Sequence, residues 1–295
     1  MLLGDGDGFV SCLCGERHWG LHGAAGLLLT DPGRGVLLQH RAGWTHHGET
    51  WALPGGAIRS DETPAQAATR ETEEETAVPA CSVRLLAARA EDHGSWSYTT
   101  VLATVRDAVL PRVANAESTA LDWVDPAEVE NYPLHRNFAA AWPSLRAQLD
   151  RELVFVVDGA NVVGSRPDGW WRDRAGAAVR LRDRLAVLTR TGVETADLDL
   201  EHEGRWLWWP RIVLVVEGKA KRTEASAAVE VVSAEHDGDS AIVATTAALR
   251  RERPRDHVVV VTADRLLGQR VRAEGAALVA PSALLGLLDA CEAAS

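Results

Sequence analysis

Three carboxylates, Glu71, Glu74 and Glu75, stand at positions i, i+3 and i+4 of the run Arg70-Glu71-Thr72-Glu73-Glu74-Glu75. On a helix that spacing places them on one face. Like charges so placed repel, and the C-terminal turn of a helix already carries partial negative charge. Each effect costs from a few tenths to about 1 kcal/mol, and both have the same sign. Arg70 can pair with Glu74, but one guanidinium cannot neutralise three carboxylates. An all-oxygen donor set suits a hard divalent cation such as Mg²⁺, although a solvated acidic helix face would give the same pattern from these residues alone.

The chemistry needs a helix, and the flanks supply its signals. Thr63 is a good N-cap, Pro64 suits the first helical position, Gln66 completes a capping box, and Pro79 stops the helix. Counted from Gly56, five residues lead to Glu62, seven more to Arg70-Glu71, two more to Glu74-Glu75, and one more to Ala77-Val78. This closely resembles the box of the Nudix (MutT-like) hydrolases, Gly-x5-Glu-x7-Arg-Glu-U-x-Glu-Glu-x-Gly-U, in which U is apolar. Two positions depart from it. Thr72 stands where an apolar residue is usual, and Ala77 replaces the last glycine, which costs about 1 kcal/mol if that position needs a positive φ.

The resemblance spans residues 20–150. It implies an α/β/α sandwich with a mixed sheet, the box forming loop, helix and loop. It implies that Glu71, Glu74 and Glu75, with the carbonyl of Gly55, hold Mg²⁺ or Mn²⁺, and that Arg70 orients the glutamates. Glu62 joins them as the remaining charged position of the box. The implied reaction is hydrolysis of the diphosphate linkage of a nucleoside-diphosphate derivative, such as a nucleoside triphosphate or ADP-ribose. A general base lies outside the box in such enzymes; Glu91, Asp92 and Glu117 are the candidates here. Trp44, His46, His47 and Trp51 precede the box closely enough to line a base pocket, and Trp51 could equally be core, as could Trp96 and Tyr98.

Around this helix, Ala24 to Leu29 and Gly35 to Leu38 read as strands split by the turn Asp31-Pro32-Gly33. Further strands are expected at Val83 to Ala88, Tyr98 to Val105 and Leu121 to Val124, and a helix from Asn137 to Arg151. At the start, Cys12-x-Cys14-x3-His18-x3-His22 offers four soft ligands. A zinc ribbon prefers a wider Cys-x2-Cys pair, so zinc is not expected, and residues 1–22 read as an N-terminal segment or degenerate metal ribbon. The first domain is then 23–150.

From Leu153 onward, buried apolar runs alternate with helical stretches: Leu153 to Val157, Ile212 to Val216, Val258 to Val261 and Ala277 to Val279. That is the pattern of a parallel sheet covered on both faces, a second domain at 151–295. Asp158, Glu217, Asp237, Asp239 and Asp264 follow these strands or open helices. Ligands of open parallel sheets bind at the carboxyl ends of the strands, so the acids could converge; each could instead simply cap a helix. The segments Asp158-Gly159-Ala160-Asn161, His236-Asp237-Gly238-Asp239-Ser240 and Thr262-Ala263-Asp264 resemble the PIN and NYN (YacP-like) ribonucleases. This implies a Rossmann-like domain in which Asp158, Asp237, Asp239 and Asp264 bind Mg²⁺ or Mn²⁺ and Asn161 orients the site. Glu217 matches that pattern only loosely. Trp170, Trp171, Trp206, Trp208 and Trp209, with Arg166, Arg172, Arg174, Arg205, Lys219, Lys221 and Arg222 nearby, could stack single-stranded RNA and hold its phosphates, or could line an interface.

Charge bounds these readings. The 295 residues carry a net charge of −11, which argues against a whole surface built for nucleic acid. The balance is −9 over residues 1–150 and −2 over 151–295, so the second half is less hostile to a polyanion. No apolar run is long enough for a membrane span, and acids stand where a signal peptide needs basic residues. Four scattered cysteines suggest reduced thiols. A cytoplasmic two-domain α/β enzyme is expected, the alternative being a nucleotide-sensing RNA-binding regulator with a non-catalytic second domain.

Overall fold

The structure, a computed structural model, describes residues 4–167, 169–198 and 205–293. The chain divides into two compact units, Met1–Asp150 and Arg151–Ser295. No helix among the described residues is long and apolar enough to cross a membrane.

In the first unit, β1 (Phe9–Ser11) and β2 (Arg17–Trp19) form a small antiparallel hairpin of their own. The main sheet is built on β3 (Ala24–Asp31), whose apolar run is buried almost throughout. Leu27, Leu28 and Leu29 have no exposed surface, and burying each stabilises the fold by roughly 1.5–3 kcal/mol. The turn after Asp31 leads into β4 (Gly35–Arg41) as the sequence suggests. The two strands pair only at Thr30↔Val36 and Asp31↔Gly35 before they diverge. β4 then pairs with β5 (Trp51–Ala52), while β6 (Gly55–Ala57) returns antiparallel to β3.

The box helix, α1 (Pro64–Thr76), starts with the expected capping box: Gln66 N–H donates to Thr63 Oγ1 and Thr63 N–H to Gln66 Oε1. It ends on Ala77 in the left-handed region, φ 55°, so the strain anticipated for an alanine there is present. Thr72 is buried, and its hydroxyl is satisfied by the Ala68 carbonyl at 2.7 Å. A threonine therefore serves at an apolar position without an orphaned polar group. β7 (Val83–Asp92), longer than expected, pairs antiparallel with β8 (Ser97–Val105), which runs parallel to β3. β9 (Ser118–Val124) pairs with β4 across a bulge at His40/Arg41. The sheet is therefore mixed. α2 (Arg136–Gln148) buries Phe138, Trp142 and Leu145, and Thr30 Oγ1 donates to Asp150 at 2.8 Å to hold the end of the unit to β3.

The second unit begins with β10 (Leu153–Asp158), α3 (Gly159–Gly164) and α4 (Arg174–Thr191), then a short antiparallel pair, β11 (Val193–Glu194) and β12 (Trp206–Trp208). β13 (Arg211–Val216), β14 (Glu230–Ser233), α5 (Gly238–Glu252), β15 (His257–Val261), α6 (Arg265–Ala273), β16 (Ala277–Val279) and α7 (Pro281–Ala293) follow. The parallel sheet has the order β14-β13-β10-β15-β16. The four expected strands are all present. β14 was not foreseen, because it is a short, half-exposed edge strand with no apolar run. Strand order reverses on either side of β10, which opens a crevice at its carboxyl end, where Asp158 stands.

Candidate active site

Glu75 sits on the buried face of α1 with 2% of its surface exposed. Its Oε2 accepts the Gly55 N–H at 2.8 Å. Burial, reinforced by the charges of Glu71 and Glu117, pushes its carboxyl up to about 8. Burial raises Glu71 as well, against the opposing pull of Arg70. Gly56 leaves room for this group, since a Cβ there would lie 2.6 Å from the Glu71 carboxyl carbon.

Arg70 is fixed from several sides. Its Nη2 and Nε donate to Glu62 at 2.6 and 3.0 Å, Nη2 also donates to the Ala57 carbonyl, and Nη1 donates to Glu71 at 2.6 Å. Burial works against ionisation of Glu62, but the Arg70 fork prevails and its pKa is lowered. Glu74 behaves differently from its neighbours: it is 50% exposed and held by Arg59 at 3.6 Å and Arg70 at 3.5 Å.

In the second unit, Asp158 caps α3 through the Asn161 N–H and accepts the Thr262 hydroxyl at 2.9 Å. Asn161 Oδ1 accepts the Ala263 N–H at 3.0 Å, tying the ends of β10 and β15 together. Asp237 caps α5 and Asp264 caps α6. Burial raises Asp158, with Asp239 and Glu217 adding to the shift. Burial also raises Asp239, followed by the charges of Asp264, Asp237 and Glu217. The capping reading is therefore realised for Asp158, Asp237 and Asp264, while Glu217 accepts the Gly238 N–H at 2.8 Å and its charge acts on Asp158 and Asp239.

Residues 20–146 match the NUDIX domain family. The chain is 49% identical over 153 residues to "Putative 8-oxo-dGTP diphosphatase 3" of Mycobacterium tuberculosis, an alignment spanning 48% of this chain and 70% of that protein. The chain belongs to the Nudix family. Its first unit is that of a Nudix pyrophosphohydrolase, an enzyme of nucleotide pyrophosphohydrolysis. Among solved structures, the Nudix hydrolase RenU of M. smegmatis is 46% identical and covers 48% of this chain and 93% of its own, with a TM-score of 0.44. Rae1 (YacP) of Bacillus subtilis is 19% identical, covering 47% of this chain and 76% of its own at a TM-score of 0.35.

Nudix hydrolases generally use a divalent cation such as Mg²⁺ or Mn²⁺. The residues here fit one. Glu75 is a carboxylate almost wholly removed from water, beside two other carboxylates, and a single amide N–H is a weak partner for such a charge. A bound cation would invert that balance.

Of the three candidate bases, Glu117 lies close enough to raise both Glu71 and Glu75. Asp92 instead accepts the Gly94 N–H within the β7–β8 turn, and Glu91 lies opposite Tyr98 on the sheet. Gly55 meets Glu75 through its N–H rather than its carbonyl. Arg41, not singled out from sequence, lowers Glu75. It follows the bulge in β4, where strand alternation no longer says which way a side chain points.

Trp51 is half-buried, with His40 and the edge of Tyr132 each 5.2 Å away. Trp44 is 70% exposed. His46, His47 and His135 cluster, and burial, then neighbouring positive charge, lowers His46 and takes His135 down to about 4. Tyr132 and His135 carry no sequence signal; the α2 N-terminus brings them to Trp51.

The expected RNA-stacking tryptophans are corrected in part. Trp206 and Trp208 are buried and so offer no stacking surface, whereas Trp171 is exposed. Arg166 is engaged by Asp289, and Lys221 by the Glu235 carbonyl.

Proposed function

We propose that the Nudix unit converts a nucleoside triphosphate with an oxidised base, of the kind named for the M. tuberculosis relative, and water to the nucleoside monophosphate and pyrophosphate. The observation that carries the site assignment is Glu75, buried beside Glu71 and Glu117 and pushed up to about 8. Glu71, Glu74, Glu75 and the Gly55 carbonyl would hold Mg²⁺ or Mn²⁺, which supplies charge neutralisation for the diphosphate and a lowered pKa for the attacking water.

The chain's own residues do the rest. Glu62 and the Ala57 carbonyl clamp Arg70, which holds the Glu71 carboxylate in place. Glu117 accepts the proton of the attacking water as it adds to phosphorus. Trp44, His46 and Trp51 bind the base and ribose. Hydrolysis of a nucleotide panel with product identification tests this reading. Preferential release of pyrophosphate from 8-oxo-dGTP is expected, and equal turnover of dGTP would remove the oxidised-base specificity.

For the second unit, we infer a Rossmann-like domain of PIN/NYN type that cleaves single-stranded RNA with Mg²⁺ or Mn²⁺ held by Asp158, Asp237, Asp239 and Asp264. The inference rests on the position of Asp158 at the carboxyl edge of a parallel sheet, with the charges of Asp239 and Glu217 acting on it and those of Asp264, Asp237 and Glu217 acting on Asp239. Cleavage of labelled RNA by the full chain, lost in Asp158→Asn, is the expected result. Retention without cleavage would favour the nucleotide-sensing RNA-binding regulator.

A further inference from the structure

The N-terminal hairpin carries a cluster of cysteine and histidine side chains separate from the glutamates of α1. Between β1 and β2 the Cys12 N–H donates to the Glu16 carbonyl and the Gly15 N–H to the Cys12 carbonyl. Gly15 takes φ 87°, which closes Cys12-Leu13-Cys14-Gly15 into a tight turn. His18 on β2 is 6% exposed and stacks on Trp96 at 4.1 Å, with its Nε2 3.1 Å from Cys14 Sγ. The fourth member is distant in sequence and is brought in by the pairing of β8 with the start of β3, Ala24 opposite Tyr98. His93, in the turn after β7, sets its ring edge-on to His18 at 4.9 Å, and its carbonyl accepts from Cys12 Sγ at 3.3 Å.

One donor atom from each of Cys12, Cys14, His18 and His93 lies within 4.8 Å of all the others. In tetrahedral zinc, with Zn–S near 2.3 Å and Zn–N near 2.05 Å, neighbouring donors sit roughly 3.3–3.8 Å apart. An inward movement of about 1 Å completes that sphere. Two thiolates and two neutral imidazoles balance the charge of Zn²⁺, and their softness selects zinc over the Mg²⁺ favoured by carboxylates.

We propose that Cys12, Cys14, His18 and His93 bind one structural zinc ion. It staples the β1–β2 hairpin to the β7–β8 turn. Such a staple answers a physical need, since a hairpin of three-residue strands is marginal in water and this one has only a small apolar cluster around Cys12, Ala24 and Trp96 beneath it. The sequence spacing pointed instead to His22, which the fold leaves exposed near Asp5. The hairpin segment also reaches the Nudix site's surroundings: Asp5 accepts from Ser60 ahead of α1, and Glu16 pairs with Arg136 at the start of α2.

Metal analysis of the full chain, purified under reducing conditions without chelator and desalted in excess Mg²⁺, tests the proposal. About one zinc per chain is expected in the wild type and in His22→Ala, and near none in His93→Ala or Cys12→Ser. If Cys12→Ser fails to fold, Cys14→Ser, at an exposed position, serves in its place. Cobalt substitution of the wild type should give a thiolate charge-transfer band and tetrahedral visible bands, which an all-oxygen Nudix site cannot produce. Wild-type protein that, after incubation with ZnCl₂ and desalting, holds no zinc and shows no thiolate–cobalt band overturns the proposal. So does a His93→Ala variant that keeps wild-type stoichiometry.

Discussion

The two acid clusters use the same functional group at opposite ends of helices. In the Nudix unit Glu71, Glu74 and Glu75 occupy the C-terminal half of α1, and Glu75 is buried there against other carboxylates with one amide N–H. In the second unit Asp158, Asp237 and Asp264 are N-caps, each accepting backbone N–H groups where the helix dipole favours negative charge. The first cluster is electrostatically incomplete without a cation, whereas three acids of the second are already engaged as helix caps and Asp239 alone among its four proposed ligands is not. Acidity alone is thus a poor guide to a metal site; the position of the acid on its helix and its desolvation are better ones.

The largest test of that contrast is in activity. Glu75→Gln should lower Mg²⁺-dependent hydrolysis by at least ~10²-fold, yet leave the cation-free melting temperature unchanged or raised, because an amide replaces a carboxyl that burial keeps protonated. Glu117→Gln should cost roughly 10²–10⁴-fold in kcat if it is the base. A Glu75→Gln protein that melts well below wild type in EDTA would break the comparison.

Acid should act on the Nudix unit through His135. Its pKa falls from 6.5 to about 4 on folding, chiefly through burial and then through His47, Arg41, His46 and Arg136. A depressed folded value means that the unfolded chain takes up the proton first. The neutral imidazole's stabilisation is therefore complete above pH 6.5 and is lost as pH falls toward 4. His135→Asn keeps a good N-cap, so denaturant melts of the two proteins should differ in pH slope within that window, and parallel slopes would refute the assignment.

Smaller effects follow for the caps. Asp264→Ala should cost about 1 kcal/mol in urea unfolding of the second unit without Mn²⁺, as the loss of an N-cap, and a larger loss with Mn²⁺ would show that the same carboxylate also holds the cation. Smallest is Ala77→Gly: removing the Cβ from a residue at φ 55° should stabilise the Nudix unit by about 0.5–1 kcal/mol, read as a shift in the urea midpoint.

Local chemistry was legible in the chain. The capping box from Thr63 to Gln66, the helix stop, the glutamate face and the apolar strands of both sheets all depend on neighbours within a few residues, so spacing reveals them. Glu117, Arg41, Tyr132 and His135 were not marked as a group, because each reaches the site from a separate loop, bulge or helix start. β14 escaped for lack of an apolar run. The tryptophans of β12 were compatible with either a stacking surface or a covered one, because composition cannot tell a buried side chain from an exposed one.

The sequence by itself determined the Nudix box, its helix and the need for positive charge beside it, since covalent spacing sets which carboxylates share a helix face. Only the tertiary structure decided which of them lose water, with Glu75 buried and Glu74 left half-exposed, because desolvation depends on what packs against α1. It also exchanged His22 for His93 beside Cys12, Cys14 and His18. Strand pairing between β7 and β8 places their connecting turn there, and no local spacing encodes that approach.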